Sequence, residues 1–304
     1  MPPVPAETRA FRLASAAVLE SEKGLALPQV RALTLMPSTT LKDEYLGRIR
    51  LQLVRRTDGS LGGRYSRPGD KGTVIDADPD ETEDEFWIRL TATALKAAPS
   101  FFGYDGAIER FHAEFPGGFN DPRYLVQERD YKEAAQQLLN RTAPVQEAAT
   151  GSGFVQPIVE VCKVTNLLHP RFERPRLIEA LHSPDGDKLV RRLARFALGE
   201  RHELAAIARM CRPFQAAIWP VVTYLPFLWE SGTRNVILRH KPTANFAERV
   251  AHPFPSVYEA DLNPSVYESL LDLYENTADR IMALSPRDVI DLQSFVWVVS
   301  EYDA

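Results

Sequence analysis

Two short stretches of the chain concentrate side chains able to do chemistry. In the first, Glu128, Arg129 and Lys132 stand within FNDPRYLVQERDYKEAA. On a helix Tyr124, Glu128 and Lys132 recur at i, i+4 and i+8, a single stripe, and Glu128 ahead of Lys132 is the favourable order for an i,i+4 ion pair. Taken as a surface pair this contributes a few tenths of a kcal/mol. Taken as a site, it sets Arg129 and Lys132 as anion contacts beside a carboxylate. In the second stretch, SPRDVIDLQSFVWVVSEY, Ser285-Pro286 predicts a helix start with Asp288 at the position of the capping-box carboxylate. Asp291 and Ser294 leave the helix on a different side from Leu292, and Gln293 shares a stripe with Trp297. A carboxylate near the start of a helix in a cleft can position water or stabilise a developing cation. The competing expectation is plain solvent-facing polarity on an amphipathic helix.

Other groups are weaker. Arg239-His240-Lys241-Pro242 follows an apolar run and precedes an expected helix, a junction that can hold a phosphate or be an ordinary surface turn. The aromatic run from Ile218 to Trp229 reads first as core, with Trp219, Tyr224 or Trp229 able to line a pocket for a flat ring. The acidic run Asp76 to Glu85 opens as Asp-x-Asp-x-Asp. It then fails as a calcium loop, because Glu81 stands at the turn glycine and Trp87 at the bidentate glutamate. No H-E-x-x-H, Gly-x-Ser-x-Gly, deaminase or Walker pattern occurs, so no metal and no cofactor is expected.

The elements that must position these groups follow from pattern. Ile49, Leu51 and Leu53 alternate with polar neighbours and predict a strand, ended by the turn Thr57-Asp58-Gly59-Ser60. A second strand is expected over Glu85 to Leu90. Asp121-Pro122 predicts a helix start, with the helix running to about Asn140. Shorter helices are expected over Pro157 to Leu168, Leu177 to His182, from Ser183 through Phe196 and over Glu200 to Met210. Asn263-Pro264 opens a long helix to about Leu284, and the last helix buries Val289, Leu292, Phe295, Val296 and Val299. The expected fold class is α+β: a mainly α-helical body (105–304) with a small N-terminal α/β portion (1–104).

The chain has 304 residues, 44% of them hydrophobic and 25% charged, with a net charge of -5, which excludes collagen-like, disulfide-scaffold and wholly disordered classes. The two cysteines form no framework, and no run approaches the roughly 18–20 apolar residues of a membrane helix. Glu7 to Lys23 reads as an amphipathic helix rather than a secretory signal, so a cytoplasmic protein without a membrane partner is expected.

The segments FPGGFNDPRYLVQERDYKEAA, TNLL at Thr165, WPVVTYLPFL, RHKP and PRDVIDLQSFVWVV resemble those of a broad set of bacterial proteins, which we relate to anti-phage DNA glycosylases. These enzymes remove bulky modified bases from phage DNA. The resemblance spans Phe115 to Val299 and implies a DNA partner, base flipping and cleavage of the N-glycosidic bond. It makes Asp291 and Asp288, then Glu128, the candidates to stabilise oxocarbenium character and orient water. Arg129, Lys132, Arg239 and Lys241 would neutralise phosphates. Gln293 would read a base edge, and Trp219 or Trp297 would stack on it. A lysine nucleophile, Lys132 or Lys241, would instead form a Schiff base and nick the strand. Two further classes stay open: a metal-dependent nuclease, and a non-enzymatic module binding nucleic acid or protein.

Overall fold

The structure is a computed structural model, and it describes residues 39–46, 49–229 and 235–302. The helix expected over Glu7 to Lys23 lies outside these residues. The chain divides into two compact units, Met1–Gly103 with Ala247–Ser256, and Tyr104–Phe246 with Val257–Ala304. It is α+β and helix-dominated, with one small antiparallel sheet near the N-terminus.

The first unit is built on a four-stranded meander of β1 (Thr39–Leu46), β2 (Ile49–Arg55), β3 (Leu61–Ser66) and β4 (Thr73–Asp76), paired in that order. Ile49, Leu51 and Leu53 of β2 are buried between less buried neighbours, the period of two that the sequence carries. Gly59, at φ +86°, takes the left-handed turn position between β2 and β3. Helix α1 (Glu83–Lys96) covers the sheet with Phe86, Leu90 and Ala94, spaced four apart. It lies so close that a Cβ on Gly63 would meet Leu90 at 2.9 Å.

Helix α1 replaces the strand expected over Glu85 to Leu90. Phe86, Ile88 and Leu90 satisfy an alternating pattern, but Thr82 and Glu85 form a reciprocal capping box that starts a helix. That capping signal outweighs a short alternation, and the buried pair Phe86 and Leu90 fits a helical period equally well.

The second unit is helical. It contains α2 (Gly103–Glu114), whose first residue belongs to the first unit, and then one long helix, α3 (122–142). Helix α3 is made of α-helical Pro122–Tyr124, a π-helical turn Leu125–Arg129 and α-helical Asp130–Thr142. Asp121 caps its start, accepting from the Arg123 N–H at 2.9 Å, with Pro122 in the first turn. There follow α4 (Val155–Lys163), α5 (Glu173–Leu181), α6 (Gly186–Ala197), α7 (Glu203–Cys211), α8 (Trp219–Leu228), α9 (His240–Arg249), α10 (Pro264–Arg280) and α11 (Val289–Glu301). Residues 240–246 of α9 belong to this unit.

Several helix boundaries differ from the pattern. Helix α4 starts and stops earlier than expected, α5 starts at Glu173, α7 starts at Glu203, and α10 ends at Arg280 before a 3-10 turn. An aromatic cluster sets the position of α3. Phe111 of α2 packs on Phe119, Tyr124 and Phe295 of α11, with ring centroids 4.8, 5.8 and 5.2 Å away. Tyr124 therefore enters the interior with its ring in hydrocarbon and its hydroxyl facing α11.

Candidate functional site at the junction of the long helix and the last helix

Helix α11 turns its polar side inward. Asp291 and Ser294 are fully buried, so the solvent-facing expectation for them is overturned. The pair Glu128–Lys132 is not on the surface either: Lys132 is 1% exposed and Glu128 4%. Its ammonium donates to Glu128 Oε2 and to Ser294 Oγ, each at 2.8 Å. The Tyr302 hydroxyl donates to the other glutamate oxygen at 2.7 Å. Burial lowers the Lys132 pKa from its ordinary value, and the nearby Glu128 charge does not fully offset it.

Beside this pair lies a second, charge-rich cluster. Arg129 forks onto Asp288, with Nη1 to Oδ1 at 2.9 Å and Nη2 to Oδ2 at 2.7 Å, and its Nη1 also donates to Asp291 Oδ1 at 2.9 Å. Asp291 Oδ1 further accepts from the Tyr124 hydroxyl at 2.6 Å and Arg287 Nη2 at 3.0 Å. Asp291 Oδ2 accepts from the backbone N–H and Nε of Arg287, at 2.9 and 2.8 Å. A carboxylate offers about four lone-pair sites, and five donors already converge on this one. Asp291 thus has no capacity left for a water or a sugar, and the water-positioning role expected for it does not fit. Its part is to hold Arg129, Arg287 and Tyr124 in register.

Asp288 is the N-cap of α11, accepting from the N–H groups of Ile290 and Asp291 at 3.0 and 3.2 Å. Burial would raise its pKa. The Arg129 fork, followed by those helix N–H groups, outweighs burial and leaves the carboxyl below its usual value. Burial likewise opposes the charge on Arg129, but its two carboxylate partners hold its pKa above the ordinary arginine value. Burial, then the Asp291 charge, pushes the Tyr124 phenol up.

The π-helical turn explains how one helix serves both clusters. In a regular α-helix, at about 100° per residue, Tyr124 and Arg129 at i and i+5 would point about 140° apart. Here the Asp130 N–H reaches back to the Leu125 carbonyl, widening the turn by one residue. Tyr124 and Arg129 are thereby brought to the same oxygen of Asp291. Single π turns of this kind are frequent at functional sites.

Of the residues singled out in the sequence, Glu128, Arg129, Lys132, Asp288 and Asp291 are brought together. Gln293 is buried on α11, and its Oε1 has no hydrogen-bond partner among the described residues. Trp297 lies one turn further on, half-buried. Arg239 is tied to Glu173 Oε2 at 3.1 Å and to the Leu167 carbonyl, which corrects its expected role as an open phosphate contact. Its charge still acts on Tyr131, the neighbour of Lys132.

Lys241 is exposed in the first turn of α9, because that helix begins at His240 rather than after Pro242. Trp219 is also corrected as a stacking platform. It is buried, its Nε1 donates to the Glu259 carbonyl at 2.8 Å, and its ring already stacks on Tyr267. Tyr224 and Trp229 are buried and hydrogen-bonded as well.

Tyr302, Arg287 and Ser294 are partners that sequence reasoning did not assign to the site. Arg287 and Asp291 stand at i and i+4, a spacing that would have flagged them, whereas nothing in the sequence links Tyr302 to Glu128. Burial pushes the Cys162 and Cys211 thiols up to about 12, which rules them out as nucleophiles near neutral pH. Among the described residues, Glu200, His202 and Glu203 are a group with metal-ligand spacing, but Glu203 is already paired with Arg192 and Arg195. No helix among these residues is long and apolar enough to cross a membrane. The chain matches no protein-family model, and searches of curated proteins and of solved structures find none similar to it.

Proposed function

We propose that the chain is a DNA N-glycosylase that excises modified bases, in phage defence as the resemblance implies, and that its reacting group is the amine of Lys132. The observation that carries this reading is an interior lysine with a lowered pKa, held by Glu128 and Ser294. Interior ion pairs are seldom the most stable filling for a core: apolar residues of similar volume often do as well or better. A lysine kept there, beside a π-helical turn, has the character of a tuned nucleophile.

The chemistry follows from the geometry. The neutral amine attacks C1′ of the flipped nucleoside, and the electrons of the glycosidic bond depart with the base, which takes up a proton. Glu128 accepts the proton that the new C1′–N bond forces off nitrogen. Opening of the sugar ring, with a proton delivered to its oxygen, gives a Schiff base. Loss of a C2′ proton then breaks the C3′–O bond, which nicks the strand, and water releases Lys132. Because Lys132 is 1% exposed, reaching its amine requires Tyr131 and Tyr302, the half-buried side chains that touch the Glu128–Lys132 pair, to move aside. The unpartnered Oε1 of Gln293 is an acceptor suited to an N–H of the base.

A magnesium nuclease is less well supported, because Arg129 and Arg287 occupy the places around Asp288 and Asp291 that a cation would need.

The test incubates the purified chain with modified-base phage DNA and with plain DNA, in EDTA, with and without borohydride. The expected result is release of free base from the modified DNA only, a covalent protein–DNA adduct under borohydride, and loss of both in Lys132→Gln. Base release with no adduct would remove Lys132 from the chemistry and favour direct attack by water. No release from any DNA would overturn the glycosylase reading.

A further inference from the structure

The second unit carries a basic groove well removed in sequence from the Lys132 site. Between His169 and Gln215 ten lysines and arginines stand against six acids, in a chain whose net charge is -5. Helices α5, α6, α7 and the 3-10 turn Arg212–Phe214 pack together here. Between them lies a groove of about 410 Å³ lined by Lys188, Arg192, Arg209, Asp185, Ser183 and Phe214, among others.

The cations of this groove differ in how they are engaged. Arg192 is paired with Glu203. Lys188 and Arg209, and Arg212 beside the groove, are exposed and make no ion pair among the described residues. Phe214, half-buried, is shared with an adjoining open depression walled by Arg174, His182 and Glu179. Arg174 there has a buried Nε without a hydrogen-bond partner among the described residues. Exposed side chains of one sign, left unpaired along a groove, cost self-repulsion unless an anion spans them.

We propose that this groove binds the phosphodiester backbone of a nucleic-acid strand, with Lys188, Arg209 and Arg212 on successive phosphates and Phe214 against a base. An aromatic face set among cations is the pattern of sequence-tolerant strand binding. Two acids, Asp185 and Glu179, sit at its margins and keep the field from being uniformly positive. The assignment deepens the glycosylase reading by supplying a surface for the strand, and it rests on that reading only for the choice of DNA as the polymer.

The test is fluorescence anisotropy of the full chain with a labelled single-stranded oligonucleotide and with the matching duplex, over a series of salt concentrations. The triple variant Lys188→Gln, Arg209→Gln, Arg212→Gln should lose at least about ten-fold in affinity at ~0.1 M salt. Its salt slope should be shallower by about 2, at roughly 0.7 for each single-strand phosphate that is no longer neutralised. A control triple, Lys71→Gln, Arg141→Gln, Lys163→Gln, removes the same charge elsewhere and should bind nearly as the parent does.

Equal loss in the two triples would overturn the groove assignment, as would an unchanged slope. Binding of polyglutamate with no oligonucleotide binding would give the groove to an acidic protein partner and overturn it too. The two proposals fail separately. Oligonucleotide binding that depends on the groove, with no base release or borohydride adduct, leaves the groove standing alone. Base release that survives the groove triple with unchanged KM leaves only the glycosylase.

Discussion

Lys132→Met is the most informative single change, because geometry and chemistry make opposite demands at that position. Removing the ammonium leaves Glu128 buried with the Tyr302 hydroxyl as its remaining donor. Breaking one side of a buried pair typically costs about 3–5 kcal/mol, since the surviving charge keeps its desolvation penalty. In a body of this size each kcal/mol moves Tm by about 2–4 °C, so a fall of roughly 6–20 °C is expected. Adding Glu128→Leu should return most of it, because methionine and leucine fill the space without a charge to solvate. The double-mutant cycle should then give a coupling of at least about 2 kcal/mol. Thermal melts and urea titrations of the four proteins measure this directly, and base release is assayed on the same samples. The expected outcome is a double variant as well folded as the parent and inert toward modified DNA. Single variants within about 0.5 kcal/mol of the parent, as for ordinary surface positions, would refute the buried-pair reasoning. A stable and fully active double variant would refute the role given to Lys132.

Three more outcomes follow from other parts of the structure. Asp288 has a folded pKa below its ordinary value of 3.8, so its contribution is present above that value and is lost as pH falls through the folded pKa; Asp288→Asn should flatten acid unfolding below about pH 4, measured by circular dichroism against pH. Thr82→Ala removes one half of the α1 capping box and should cost about 1 kcal/mol in the first unit, with base release unaffected. Deleting Val126, an exposed residue inside the π-helical turn, should restore regular α-helix and leave Tyr124 and Arg129 four positions apart, about 40° from one another at 100° per residue, with helical content and both bonds to Asp291 kept; crystals of the deletion in which Arg129 has left Asp291 would defeat the geometric account.

How much of this was legible in the sequence depends on the residue. Asp121-Pro122 and Asn263-Pro264 announce two helix starts through local capping chemistry, and both helices begin there, whereas the start expected at Ser285-Pro286 falls three residues later, with Asp288 itself as the cap. Ile49, Leu51 and Leu53 disclose β2 because one face of that strand is buried. Thr82 and Glu85 carried an equally local signal that the alternation of Phe86, Ile88 and Leu90 masked. The site was half visible: residue types and helical spacing marked Glu128, Arg129, Lys132, Asp288 and Asp291. Their depth was not visible, because spacing along a helix says which residues share a face and nothing about what covers it. The π-helical turn leaves no pattern in LVQER, and the pairing of Tyr302 with Glu128 is a tertiary contact without a local cause. Arg239 and Trp219 misled for the converse reason, since an arginine or tryptophan at a junction looks available until its partner is known.

The bond between Lys132 and Ser294 joins positions 162 apart in the chain, and Asp288, Asp291 and Tyr302 reach the site from the same late segment. During synthesis, therefore, the amine of Lys132 emerges long before the residues that bury it and lower its pKa. Until α11 docks, that amine is an ordinary solvated lysine, protonated at neutral pH and harmless to DNA. A nascent or prematurely terminated chain is thus chemically silent, and the base-removing function proposed for this protein would switch on only once translation has passed Tyr302.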